Sequence, residues 1–458
     1  MVELILKINS ILNGLLWGPV LILAILGVGI YLTFGNRFVQ IVRLPFVFRE
    51  TLVRKKRGLQ GDITPFQALN VALAGTVGVG NIAGVAAAIA LGGPGAIFWM
   101  WVSGILGMAT KFSEVVLCIR YRIRQIRGAE KSVRGQIQYP MLGGPMVYIR
   151  RGMGKRCRYL ASAFAVFGAL AAFGIGNMTQ ANSVAIGLER FGISRVITGI
   201  LLIFAVGLVT IGGIKRIAQV ASIFVPFMCI LYFVSALIII ILNISLLPKI
   251  LFLILKSAFT PVAAVGGFAG VTASQALRWG IARGIFSNEA GLGSAPIAHA
   301  TAKTDHPVRQ GMWGIFEVFI DTIVICSATG LAILVTGVWT SGQTGAVLTM
   351  SAFSRVFGNN LGSALVVFSM VLTAYDTMLA WEFYGETCSA YLFGPKIRDY
   401  YRILWLPPII IGSLGKLETI WSLADTLNGL MAIPNLFALL MLSPIVFRLT
   451  KEFFGRPK

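Results

Sequence analysis

Apolar runs long enough to cross the ~30 Å hydrocarbon core of a bilayer recur along the whole of this 458-residue chain. Lipid offers no hydrogen bonds, so each run has to satisfy its own backbone amides and carbonyls, which an α-helix does and an open strand does not. The ten-residue alternation of a membrane barrel is absent. Eleven spans are expected, at 11–34, 66–91, 94–119, 160–188, 195–213, 218–247, 262–283, 312–338, 361–393, 403–417 and 421–448. Composition agrees: 57% of residues are hydrophobic and 12% charged, which a water-soluble domain with a charged shell does not accommodate. The first run lacks a small-residue cleavage site and reads as a retained helix.

A net charge of +22 raises nucleic acid as a partner, but its distribution argues for the positive-inside rule. With the N-terminus outside, 31 Lys and Arg fall on the inner side, in 35–63, 120–159, 212–217, 278–310, 392–402 and 448–458. Seven fall outside, and Lys111 lies within a span. The orientation places the C-terminus in the cytoplasm of a prokaryotic-type plasma membrane, and no nucleic-acid partner is expected. The five cysteines are dispersed, without the spacing of a metal site or a disulfide framework.

Two segments break helix propensity inside apolar runs: AGTVGVGNIAG at 74–84 and AAVGGFAG at 263–270. Broken helices occur at membrane depth only where they border a cavity, although small residues also serve close helix packing. The interruptions lie about 190 residues apart and each opens a set of five spans, the pattern of an inverted repeat with its site between the two first helices. The division is then 1–63 for an extra helix and basic loop, 64–247 and 262–448 for the repeats, 248–261 for an extracellular connection, and 449–458 for a tail.

Several blocks in order carry a resemblance: NVALAGTVGVGNIAGVAAAIALGGPGAIFWMWVSG (70–104), GMATKFSE (107–114), GGPMVYI (143–149), NMTQANS (177–183), GGIKRIAQV (212–220), RGIFSNEAGLGSAPIAHA (283–300), WEFYGETC (381–388) and ADTLNGLMAIPNL (424–436). Through them the whole chain resembles the alanine/glycine:cation symporter family of the amino acid–polyamine–organocation superfamily. The resemblance implies an all-α, LeuT-type fold of five plus five inverted helices, alanine or glycine as substrate, and sodium as the co-transported cation, with no covalent cofactor. Three positions depart from the family pattern: Val79, where threonine is frequent, Asp376, where Ser or Thr is usual, and Ala380, where Gly often precedes the Trp.

An amino acid brings a carboxylate and an ammonium, and an unwound helix offers amides to one and carbonyls to the other. The N–H groups of Val79 and Gly80 suit the carboxylate, and the carbonyls of Ala74, Thr76 and Val77, around Gly78, suit sodium or the ammonium. Asn81 either adds an oxygen or caps the second half-helix. Asn177 and Gln180 share a helical face, and each either bonds a neighbouring helix or, Gln180 foremost, reaches the substrate. Trp381 is either a wall favouring a small side chain or core packing. The resemblance further implies a sodium site from Asp376, Thr377, Thr373 and the carbonyls of Ala74 and Val77, with proton coupling through Asp376 as the alternative.

Among the other intramembrane acids, Lys111 and Glu114 are one turn apart and read as a local ion pair. Glu317 and Asp321 share a face, so at least one of them needs a proton or a buried partner. Glu289 in FSNEAG reads as part of a cytoplasmic gate or as a structural turn, and His299 and His306 read as structural. A membrane-embedded enzyme would carry HExxH, GxSxG or a P-loop, none of which occurs. A channel shares the broken helices but not the saturable, coupled uptake that a carrier shows.

Overall fold

The computed structural model describes residues 9–14, 16–52, 61–126, 138–263, 268, 270–415 and 417–455. Helix α1, Pro19–Gly35, leads into two short helices, Val39–Val42 and Leu44–Leu52. The first interrupted helix runs as α2, Pro65–Thr76, a π-helical turn Gly80–Gly84, and α3, Val85–Gly92, bent by 50° at the break. α4, Ala96–Tyr121, precedes a two-stranded antiparallel hairpin of β1, Ile123–Ile126, and β2, Gln138–Leu142, and a short helix, Pro145–Gly152. The next long span joins α5, Arg158–Ala171, to α6, Thr179–Glu189, through a π-helical stretch Ala172–Met178. α7, Arg195–Thr210, α8, Gly213–Leu242, and α9, Leu247–Phe259, complete the first half.

The second half opens with α10, Ala273–Asn288, and the five-residue α11, Ala295–His299. α12, Pro307–Val318, continues through a π-helical stretch Phe319–Cys326 into α13, Ser327–Val335. α14, Gly345–Phe357, precedes the 35-residue α15, Asn359–Phe393, and α16, Ile397–Leu404, α17, Pro407–Leu414, and α18, Leu417–Gly455, follow.

Among the described residues six helical spans are long and apolar enough to cross a membrane, or seven with the bent pair α2/α3, and α1, α7 and α14 are shorter apolar helices. The expected span at 262–283 is displaced: the helix there is α10, and the expected interruption at 263–270, of which 264–267 and 269 lie outside the described residues, comes before it. The interruption in this half is at Glu289–Ser294, between α10 and α11. Arg278 and Arg283, counted above with the inner loops, therefore belong to α10. The expected span 403–417 is divided at Leu406–Pro407, where a proline opens α17, and the expected connection 248–261 is mostly the helix α9.

The halves share a starting device. α2 begins on Thr64, whose hydroxyl accepts from Gln67 N while Gln67 Oε1 accepts from Thr64 N, and α10 begins on the same reciprocal box between Thr272 and Gln275. Each box satisfies two of the amides that a helix start leaves unmatched.

Burial follows the site, not the termini. α8 turns Ala221, Val225, Met228 and Tyr232 inward and exposes Ile223, Phe227 and Ile230, the surface of a helix bathed in hydrocarbon. α10 lies against α4 through Gly280 and Gly284, a small-xxx-small contact that lets two backbones approach closely. A Cβ at Gly280 would stand 2.3 Å from Ala96 O, and one at Gly284 would stand 2.1 Å from Ser103 Oγ.

Gly280→Ala is expected to destabilise the protein by about 1–3 kcal/mol, as overpacking does. Gly27→Ala, on the exposed face of α1 with nothing within 4 Å, should leave stability unchanged or raise it slightly. Thermal unfolding of the detergent-solubilised variants separates the two, and equal midpoints would contradict the close packing of α10 on α4.

Candidate functional site

The first break is Val77–Val79, where the chain leaves helical geometry at Val77 (φ −77°, ψ 89°). Glycine lets other groups approach here: a Cβ on Gly78 would lie 3.0 Å from Thr377 Oγ1, one on Gly75 2.9 Å from Tyr384 Oη, and one on Gly80 3.5 Å from the Phe286 ring. Asn81 does two things at once. Its Oδ1 accepts from Gly78 N at 2.9 Å, capping the broken strand of backbone, and its Nδ2 donates to Asp321 Oδ1 at 2.7 Å. Thr76 spends its hydroxyl within α2, on Ala72 O and Leu73 O, and Val79 is buried.

Asp321, in the π-helical stretch between α12 and α13, receives three side chains. Ser287 Oγ lies 3.0–3.1 Å from both carboxylate oxygens, Thr322 Oγ1 donates at 2.7 Å, and Asn81 supplies the third. All four residues are buried, and the cluster ties the first break to α10 and α12/α13. No basic side chain among the described residues is paired with this carboxylate. Sequence flagged the need for a buried partner at Glu317 or Asp321, but not that Asn81 would be it.

The second break holds three positive φ angles in close succession: Glu289 (55°), Gly291 (93°) and Gly293 (83°). The left-handed region is normal for glycine and unusual for glutamate, and such positions gather at functional sites. Glu289 is fixed there by its side chain. Trp381 Nε1 donates to its Oε1 at 3.2 Å, and Ser294 Oγ donates to its Oε2. Gly291 is clamped on both sides of its peptide, since Glu114 Oε1 accepts from its N–H at 3.0 Å and Asn435 Nδ2 donates to its carbonyl at 2.9 Å. Asn435 also donates to Glu114 Oε1 and accepts from Tyr148 Oη.

The expected wall and the second break are therefore one unit. Trp381 is buried, its ring 5.5 Å from that of Tyr384, and a Cβ on Gly176 would lie 2.0 Å from its Cβ, so only glycine in the preceding π-helical stretch leaves room for it. Gln180 is also buried; its Nε2 donates to Ile175 O and its Oε1 has no protein partner. Asn177 instead donates to Trp405 O, holding the span to the end of α16.

Of the residues expected around the cation, α15 and α2 bring three together. Thr377 Oγ1 donates to Ala74 O and to Thr373 O, each at 2.9 Å, and Thr373 and Val77 line a small cavity that also touches Gly78, Asn81 and Cys229. Asp376 is fully buried beside Thr377, and both of its oxygens lack a hydrogen-bond partner. A carboxylate in that condition fits a small hard cation with oxygen ligands.

The expected Lys111–Glu114 pair is corrected. Lys111 Nζ lies 3.2 Å from Glu317 Oε1, while Glu114 is engaged with Gly291 and Asn435. His299, in α11, stands 2.9 Å from Glu317 Oε2 and 2.9 Å from Gln310 Nε2. The buried acid on α12 thus holds α4 and α11 together. His306 caps α12, accepting from Val308 N at its ring nitrogen.

Solved structures with this arrangement of helices are distant in sequence. MhsT in complex with L-phenylalanine aligns over 86% of this chain and 99% of its own, with a TM-score of 0.53 and 12% identity. A manganese transporter from Eremococcus coleocola aligns over 86% of this chain and 88% of its own, with a TM-score of 0.51 and 14% identity. These likenesses speak to the fold, that of LeuT-type transporters. Relatives in sequence are much nearer. The sodium/alanine symporter AgcS of Methanococcus maripaludis is 44% identical over 97% of this chain and 96% of its own. An uncharacterized transporter of Haemophilus influenzae is 44% identical over 99% and 97%, and the probable sodium/glutamine symporter GlnT of Bacillus subtilis 39% identical over 100% and 92%. The profile of the sodium:alanine symporter family matches residues 2–458, and the chain, a transporter and not an enzyme, belongs to that family.

Proposed function

We propose that the protein carries a small neutral amino acid, alanine or glycine first, inward together with sodium by alternating access across eleven spans. The observation that carries the coupling is Asp376, a buried carboxylate with two unpartnered oxygens next to a threonine that already bridges α15 to the first break. An unpaired carboxylate near the midplane costs about 2.5–3.5 kcal/mol or more, which a bound cation offsets while being held more firmly itself. Asp376, Thr377, Thr373 and the carbonyls of Ala74 and Val77 are the ligands we assign to sodium. Because Thr377 and Val77 touch the same break whose amides we assign to the substrate carboxylate, cation and amino acid each make the other's site better formed.

For the amino acid we assign Thr76, Gly78, Val79, Gly80 and Asn81 at the first break, with Gln180 and Trp381 across from it. The backbone supplies most of the recognition, and Trp381, wedged against Gly176 and fixed by Glu289, leaves little room for a large side chain. In competition assays with proteoliposomes, alanine and glycine should suppress labelled alanine uptake more strongly than leucine or lysine; the reverse order would overturn the substrate assignment.

Uptake of alanine at fixed pH should vanish when choline replaces sodium. Asp376→Asn should raise the sodium concentration for half-maximal uptake by about tenfold or more, since a charged ligand becomes neutral. Uptake that persists in choline and follows an imposed pH gradient would instead assign Asp376 to proton transfer.

The asymmetry of basic residues supports an outer start for α1 and a cytoplasmic end for α18. In a variant freed of its native cysteines, Lys155→Cys, at the exposed turn before α5, should react with an impermeant thiol reagent only after the membrane is opened. Labelling from outside intact cells would invert the topology.

A further inference from the structure

On the side assigned to the cytoplasm, four segments from different places in the chain close on one cavity of about 250 Å³: the stretch before α2, the β1/β2 hairpin, the turn from α7 into α8, and α16. Three cations line it, Arg124, Lys215 and Arg402, against one carboxylate, Asp62. That carboxylate is already committed to the hairpin, since its Oδ2 accepts from Met141 N at 2.6 Å and its Oδ1 lies 3.4 Å from Arg124 Nη2. Arg402 is held by Glu386, which stands 2.6 Å from its Nε but also receives Arg398. Lys215 is exposed and is paired with no acid among the described residues. The acids present therefore leave the cavity short of negative charge.

The backbone adds to this. α8 starts at the cavity without a side-chain cap, and a helix start leaves its first amides unmatched and carries the positive end of the helix dipole. Gly213, Ile214 and Lys215 of that first turn line the cavity. Gly213 has φ 64°, and a Cβ there would stand 3.0 Å from Arg402 Nη2, so glycine lets the guanidinium lie against the helix start. Beside these lining residues the chain is apolar and exposed, at Ile211 before Gly212 and at Ile403 and Leu404 after Arg402. Cations next to exposed apolar side chains at the inner end of a bundle match a molecule with an anionic head and hydrocarbon tails, whereas a soluble anion would use the cations alone.

We propose that this cavity binds the phosphate of an anionic phospholipid of the inner leaflet, with Lys215, Arg402 and the first amides of α8 on the phosphate oxygens, Arg124 adding its charge, and the acyl chains along Ile211 and Ile403. Inorganic phosphate shares the head-group chemistry and lacks the tails. Asp62 stands three residues before α2, so an occupant ties the approach to the first break to the hairpin, to α8 and to α16. A ligand that binds only the folded protein stabilises it in step with its affinity. The inference holds whichever solute the central site carries.

The test titrates phosphatidylglycerol, phosphatidylcholine or inorganic phosphate into the full-length protein in detergent and follows the thermal-unfolding midpoint. Phosphatidylglycerol should raise the midpoint, and phosphatidylcholine should not. Lys215→Gln should need about fivefold more phosphatidylglycerol for the same rise, the worth of one basic residue at an anionic surface, and Arg124→Gln a comparable increase. The charge-preserving Lys215→Arg should titrate like the parent, as should Lys155→Gln, which removes an exposed charge on the same side away from the cavity. A rise with inorganic phosphate that fades in Lys215→Gln supports the phosphate site and overturns the lipid as its occupant. Equal rises with the two lipids overturn the site, and so does an unchanged titration in both Lys215→Gln and Arg124→Gln. An equal loss in Lys155→Gln also overturns it, by showing a general effect of surface charge.

Discussion

Backbone amides and carbonyls in hydrocarbon have to be matched from within the protein, and the architecture follows from where a helix stops doing this for itself. At the first break the mismatch is met by one side chain, Asn81, which caps Gly78 and passes the connection on to Asp321. At the second it is met from two other helices, by Glu114 of α4 and Asn435 of α18, which hold Gly291 by its N–H and its carbonyl. Each interruption is thus a junction to which neighbouring spans are bound by polar contacts, and those contacts engage three buried carboxylates, Asp321, Glu114 and Glu289. The same requirement makes such junctions suited to a solute, since groups that accept a capping side chain can accept a charged ligand in its place.

The first break was legible in the sequence because four glycines and an asparagine stand inside an otherwise apolar run, which no lipid-facing helix needs. The second was not. AAVGGFAG has the richer glycine content, yet the chain breaks later, at a segment whose key residue is a glutamate in a left-handed conformation. Composition flags glycine at such positions and passes over glutamate, whose stability there depends on Trp381 and Ser294 arriving from elsewhere. The apolar window therefore falls too early, and Arg278 and Arg283, read as part of the loop that follows, lie within α10.

Long-range polar partners were the other blind spot. Lys111 and Glu114 satisfy a helical spacing rule, and the rule is indifferent to a stronger competitor brought in from α12. Glu317 is that competitor, and it frees Glu114 to serve the second break. The cluster around Asp321 was hidden for the same reason, since Asn81, Ser287 and Thr322 come from three separate segments of the chain. What sequence conveys well is which residues are out of place in lipid, and what it withholds is the pairing that makes them tolerable.

The network of Lys111, Glu317, His299 and Gln310 has a mechanical corollary. α11 has only five residues, too few to hold a position by its own turns, and its last residue is fastened to the acid that also receives Lys111. Separating such a buried pair exposes an uncompensated charge to a low dielectric, a penalty of several kcal/mol. The short arm is therefore stiffly coupled to α4 and α12, and displacement on that side travels as one block of three elements, to which the turn Glu289–Ser294 is itself tied through Glu114 of α4.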